Sequence, residues 1–159
     1  MTDRLEELFQ RRDKERAQKA GSIAVVKGAK LPWETNRQGK MRWYLHPGIE
    51  NTVIRSLLVF IQEIPPGSRS GKEKHQGGRI HFILEGKGYT ILDGVKHEWE
   101  AGDAVVLPVK PDGVTFQHFN ADPANPVRFI AAEPNLYDAL GVDMGSGFEQ
   151  LEDAPEYKR

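Results

Sequence analysis

Residues 79–108 read RIHFILEGKGYTILDGVKHEWEAGDAVVLP, and this stretch decides the fold. Short runs rich in Ile, Val, Tyr and Trp are cut by glycine, and no 3.6-residue period joins them. Asp93-Gly94, between YTIL and VKHEW, is the strongest hairpin signal in the chain. Both residues tolerate the left-handed backbone that a two-residue hairpin loop requires. Gly102-Asp103 marks the next turn, before AVVLP.

The same texture extends both ways. Downstream, VTFQHFN (114–120) and VRFIAAEP (127–134) are further strands, separated by ADPANP. Upstream, TVIRSLLVFIQEI (52–64) is apolar at odd and even positions alike, as in a strand covered on both faces, and PPGSRSG ends it. SIAVV (22–26) is expected as a short strand, and residues 31–47 carry Trp33, Trp43 and Tyr44 among turn formers. About eight short strands with close turns and no helix between them predict a closed or nearly closed antiparallel sandwich or barrel.

The ends differ from this middle. Residues 1–21 predict a helix capped by Thr2 or Asp3, with Glu6 and Glu7 in its first turn and Gly21 after its end. Its narrow apolar stripe of Leu5, Leu8 and Phe9 suits a helix lying on the domain or on a second subunit, or a solvated arm. Residues 22–134 are expected to form the β-barrel, and residues 135–159 a C-terminal arm. In that arm NLYDALG predicts a helical turn, and the acidic remainder an irregular tail on the surface.

Bulk properties narrow the function. The 159 residues suit a single domain with one hydrophobic core. A net charge of −1 gives no basic field for nucleic acid or an anionic membrane. Cysteine is absent, which excludes disulfides, thiolate metal sites and cysteine nucleophiles. No apolar run approaches the roughly 20 residues of a membrane span. The N-terminal stretch is charged from its start, without the apolar region of a signal peptide, and a cytoplasmic protein is expected.

Two groups of residues carry a family resemblance. Gly67 is followed by five residues, then Glu73-Lys74-His75, three residues, Arg79, six residues and Gly86. Gly102 opens a second group that closes on Pro111-Asp112-Gly113, two residues, Phe116, three residues and Asn120, with Pro108 at the place where the proline comes first. In these offsets the chain resembles the cupin superfamily of small jelly-roll barrels, over roughly residues 53–134. The resemblance implies a double-stranded β-helix, all β, with one divalent ion held inside by three histidines and a glutamate. It also implies a homodimer, since small cupins commonly pair.

At those ligand positions only His75 keeps the family's residue type. Glu73 stands for the first histidine, Arg79 for the glutamate and Phe116 for the last histidine. Phenylalanine cannot ligate. A guanidinium about 4 Å from a divalent ion repels it by about 8 kcal/mol at an effective dielectric near 20. Two readings follow. In one the site is displaced along the barrel: strand alternation puts His81 on the face of Arg79 and His118 on the face of Phe116, so His75, His118, His81 and Glu73 would hold one Fe, Zn, Ni or Mn ion. That reading resembles gentisate-type ring-cleaving dioxygenases, whose second motif has two histidines where this chain has Phe116-Gln117-His118.

In the other reading no metal is bound. Arg79 and Glu73 face each other as a hydrogen-bonded pair, and Arg79 takes the ion's electropositive role toward an organic acid or aromatic ligand. The protein is then a binding or sensing module, or an isomerase with Glu73 or His75 as base and Arg79 as electrophile. His46 and His97 are expected to be solvated.

Overall fold

The computed structural model describes residues 3–49, 51–137 and 148–158. Among them the chain forms one long helix and eleven strands in two antiparallel sheets. The first sheet runs β1-β2-β3-β10-β5-β8, from Glu34–Asn36 (β1), Gly39–Leu45 (β2), Leu57–Ile64 (β3), Val127–Pro134 (β10), Ile80–Glu85 (β5) and Ala104–Val106 (β8). The second runs β11-β4-β9-β6-β7, from Phe148–Glu152 (β11), Lys72–His75 (β4), Val114–Asn120 (β9), Lys87–Leu92 (β6) and Val95–Glu100 (β7). Two such sheets, packed face to face, are the jelly roll that the turn spacing predicts.

The hairpin at Asp93-Gly94 joins β6 to β7, with Leu92 opposite Val95. Asp93 has φ 47° and Gly94 φ 84°, so both residues sit in the left-handed region of a primed turn. The core lies between the sheets: Met41, Phe60, Ile64, Ile83, Trp99, Val127, Phe129 and Ala131 form its larger part. Leu107, Val114 and Phe116 form a smaller part. On β10 the alternation is strict: Val127, Phe129, Ala131 and Glu133 are buried.

Three expectations change. Residues 22–26 form no strand; Ile23 makes one isolated bridge to Thr52, and Ile23 and Val25 are exposed. β-branched residues favour a strand only where a neighbouring strand and a covered face exist, and this segment has neither. The strand expected at 52–64 begins at Leu57. The acidic tail is not irregular throughout, because β11 pairs with β4, placing Gln150 opposite Glu73. Without β11, β4 would be an open edge.

At the N-terminus, α1 (Arg4–Ala20) is capped by the Asp3 carboxylate, which accepts from the Glu6 amide, and it buries no residue. At the other end Leu136 and Tyr137 are helical, and Asp138–Gly141 of the expected turn lie outside the described residues.

Candidate functional site: a guanidinium at the centre of the barrel

The motif residues converge as their spacing predicts. Glu73 and His75 alternate with Lys72 and Lys74 on β4, so both point into the barrel and are buried. The register of β4 against β9 sets Glu73 opposite Phe116. Arg79, just before β5, is buried as well. Its guanidinium grips Glu73 with two bonds, Nη1 to Oε2 at 3.1 Å and Nη2 to Oε1 at 3.0 Å. The guanidinium carbon lies 5.6 Å from the centre of the Phe116 ring and 5.8 Å from that of Phe60. The three positions 73, 79 and 116 thus meet around one cation, and that cation belongs to the chain.

A second acidic partner comes from β10, the strand paired with β5. Arg79 Nε donates to Glu133 Oε2 at 2.7 Å, and His75 Nε2 lies 3.0 Å from the same oxygen. His75 Nδ1 accepts from the Gly77 amide at 3.0 Å, so the ring proton sits on Nε2 and is given to Glu133. Gly77 is required here: its φ is +97°, and a Cβ would run into the Pro108 carbonyl. Burial pushes the Glu133 carboxyl up, but His75 and Arg79 outweigh it and hold the group down to about 2. Burial, with the charge of Glu133 beside it, pushes the Tyr137 phenol upward.

His81 and His118 form a separate cluster. Both are almost fully buried, with ring centres 4.5 Å apart and Phe116 and Phe129 against them. Trp99 Nε1 donates to Thr90 Oγ1 at 2.8 Å, and Thr90 Oγ1 lies 2.7 Å from His118 Nδ1. The Thr90 hydroxyl accepts from the tryptophan N–H and shares a second hydrogen bond with His118 Nδ1, in which either partner can donate. His118 Nε2 and His81 Nδ1 are buried without a hydrogen-bond partner. Burial, helped by the charge of Arg79, pulls His118 down to about 3, and burial pulls His81 well below its ordinary value.

The expected four-residue metal set is therefore not assembled. Glu73 and His75 belong to the Arg79 cluster, while His81 and His118 pair with each other. Among the described residues no three His, Asp or Glu side chains gather as a metal site. The donors also do not suit an ion: both nitrogens of His75 are engaged, and both oxygens of Glu73 face Arg79. An ion beside Arg79 meets the repulsion of about 8 kcal/mol set out above.

A cavity of about 580 Å³ opens beside the charged cluster, with Glu73, Arg79 and Glu133 in its wall. Met41, Trp43, Leu58 and Phe60 give it an apolar side, and Tyr137 lines it as well. Trp43 is held by a bond from Nε1 to Glu34 Oε1 at 2.8 Å and packs on Phe60, with ring centres 5.0 Å apart. His46, expected to be solvated, is exposed but lines this cavity. His97 is exposed on β7, whereas Trp33 and Tyr44 are not among the lining residues. Sequence reasoning passed over Glu133 and Tyr137. Glu133 had a signal: it ends the inward series 127, 129, 131, 133 on an otherwise apolar face.

The closed antiparallel jelly roll has a polar group at its centre and an apolar cavity beside it. Residues 60–133 match the family model described as Cupin domain. An uncharacterized protein of Methanocaldococcus jannaschii is 38% identical over 80 residues, covering 50% of this chain and 62% of that protein. The dimethylsulfoniopropionate lyase DddW of Ruegeria pomeroyi is 28% identical over 88 residues, covering 50% of this chain and 58% of the lyase. The chain thus spans about three-fifths of the length of these relatives.

Among solved structures, salicylate 1,2-dioxygenase of Pseudoaminobacter salicylatoxidans superposes with a TM-score of 0.56 at 15% identity, covering 89% of this chain and 36% of the enzyme. Bacillus subtilis oxalate decarboxylase, described with Mn(II) centres, superposes with a TM-score of 0.59 at 14% identity, covering 79% and 31%. These likenesses establish the fold.

Proposed function

We propose that this barrel binds a small organic molecule without a metal ion, in a binding or sensing role, with Arg79 holding the place where metal-loaded cupins hold their ion. One observation carries the reading: the Arg79 guanidinium is engaged by Glu73 and Glu133 where motif positions 73, 79 and 116 meet. Acid–base catalysis is less well supported. Glu73 has both oxygens on Arg79, and His75 gives its only proton to Glu133. Glu133, held down to about 2, is a weak base, and Tyr137, pushed upward, is a weak acid.

Metal analysis tests the reading. Protein purified without added metal, then soaked with Mn, Fe, Ni or Zn and desalted, is expected to retain no stoichiometric ion. One equivalent per chain, lost in His75→Ala, would overturn it and restore the dioxygenase-like alternative. The triple variant Glu73→His, Arg79→Glu, Phe116→His rebuilds the family's ligand set and is expected to gain a metal-dependent rise in melting temperature.

The same reading makes the protein a homodimer. On the outer face of the first sheet Ile80, Phe82 and Leu84 of β5 are exposed, and Val106 of the edge strand β8 continues the patch opposite Ile80. Apolar surface on adjacent strands beside an open edge suits a second copy of the chain. Light scattering should give twice the chain mass, and Phe82→Glu should halve it. The reading also assigns the chain to the cytoplasm, which fractionation of expressing cells tests.

A further inference from the structure

Among the described residues, the guanidiniums that line the cavity are already engaged by carboxylates. All three Arg79 nitrogens are bonded to carboxylates. The other cation in the lining, Arg37, is paired with Asp153 at 2.6 Å. The central cluster sets two carboxylates, Glu73 and Glu133, against one guanidinium, so it carries one uncompensated negative charge. His75 meets this cluster through Nε2, while its Nδ1 accepts from the Gly77 amide.

That excess charge has an address. Both contacts to Glu133 fall on Oε2, and Oε1 accepts no hydrogen bond from the described residues. Glu133 is 5% exposed and lines the cavity. Oε1 is not among the fully buried atoms without a partner, so this charged oxygen is open to the cavity. The cavity also presents Trp43 and Tyr137, whose ring faces attract cations.

We infer that the ligand of this cavity carries a positive charge, as an organic ammonium or a similar cation, seated between Glu133 Oε1 and the aromatic wall of Trp43 and Tyr137. This rests on the metal-free binding reading and adds the charge class of the ligand.

The test uses three molecules of one shape on the intact chain at pH 7 and low salt: choline, its uncharged isostere 3,3-dimethyl-1-butanol, and the anion 3,3-dimethylbutanoate. Binding is followed by titration calorimetry and by the indole N–H resonance of Trp43. Choline is expected to bind at least tenfold more tightly than the alcohol and to shift the Trp43 signal. Glu133→Gln, which keeps an acceptor for Arg79 and His75, is expected to remove that preference. Equal binding of choline and the alcohol, or tighter binding of the anion, overturns the charge assignment and leaves the cavity as a metal-free site. Silence of all three at Trp43 overturns both, whereas a stoichiometric metal ion overturns the metal-free reading alone.

Discussion

Two buried polar clusters sit inside the same barrel, and they handle burial in opposite ways. Around Arg79 the groups are charged, and the guanidinium is bound on both sides by Glu73 and Glu133. Around His81 and His118 the groups are neutral, and two ring nitrogens lack partners. A low-dielectric interior tolerates ionisable groups when they are paired or when they give up their charge. This barrel uses the first solution at its cavity wall and the second among the phenylalanines. The paired cluster stands in the wall of the 580 Å³ cavity, and neither His81 nor His118 is among the described residues that line it.

The comparison breaks most visibly at Arg79. Arg79→Met leaves Glu73 buried without its partner and Glu133 with His75 alone, and removing one partner of a buried pair costs about 3–5 kcal/mol. Urea unfolding at pH 7 should show that loss, and part of it should return at lower pH, where the carboxylates protonate. A loss under about 1 kcal/mol would mean that the pairing contributes little.

Acid separates the two solutions next. His81 and His118 have folded pKa values below the ordinary 6.5, so the unfolded chain binds protons that the folded chain refuses. Stability therefore falls as pH drops below 6.5, by up to about 2.7 kcal/mol per pH unit for two histidines. Glu133, lowered from 4.5 to about 2, gives stability that is present above pH 4.5 and is lost as pH falls toward 2. Unfolding free energies measured from pH 7 to pH 4 should show the histidine slope. A flat curve would mean that the pair is charged in the folded state.

The smallest effect belongs to the neutral cluster. His81→Phe removes a nitrogen that has no partner and keeps a planar ring among aromatics. Its cost at pH 7 should stay within about 1 kcal/mol, because the unsatisfied group it deletes was itself worth roughly 1–3 kcal/mol of penalty. The variant should also halve the acid slope. A loss as large as that of Arg79→Met would show that the two clusters are held by the same kind of interaction.

Local rules made much of this readable before the structure. Turn glycines act through φ alone, so Asp93-Gly94 announced its hairpin. The offsets from Gly67 to Gly86 placed Glu73 against Arg79 because strand alternation carries facing through a motif. Glu133 escaped because it reaches Arg79 from β10, 54 residues away, through the pairing of β10 with β5, a long-range register that local spacing does not encode. The split of His75 from His81 and His118 escaped for a related reason. Alternation says which side a residue faces, not how far along the barrel it lies, and three inward histidines looked like one set. The strand at 148–152 was hidden by its acidic composition; its reason to form is the open edge of β4.

A tethered guanidinium differs from a bound ion in one further respect: it has no dissociation constant. On the metal-free reading proposed above, chelators, metal starvation or the wrong metal in the medium would leave the centre of this barrel unaltered, since its cation was installed at translation. The exchange is lasting in the other direction too, because an arginine has no second oxidation state and no vacant coordination position to offer.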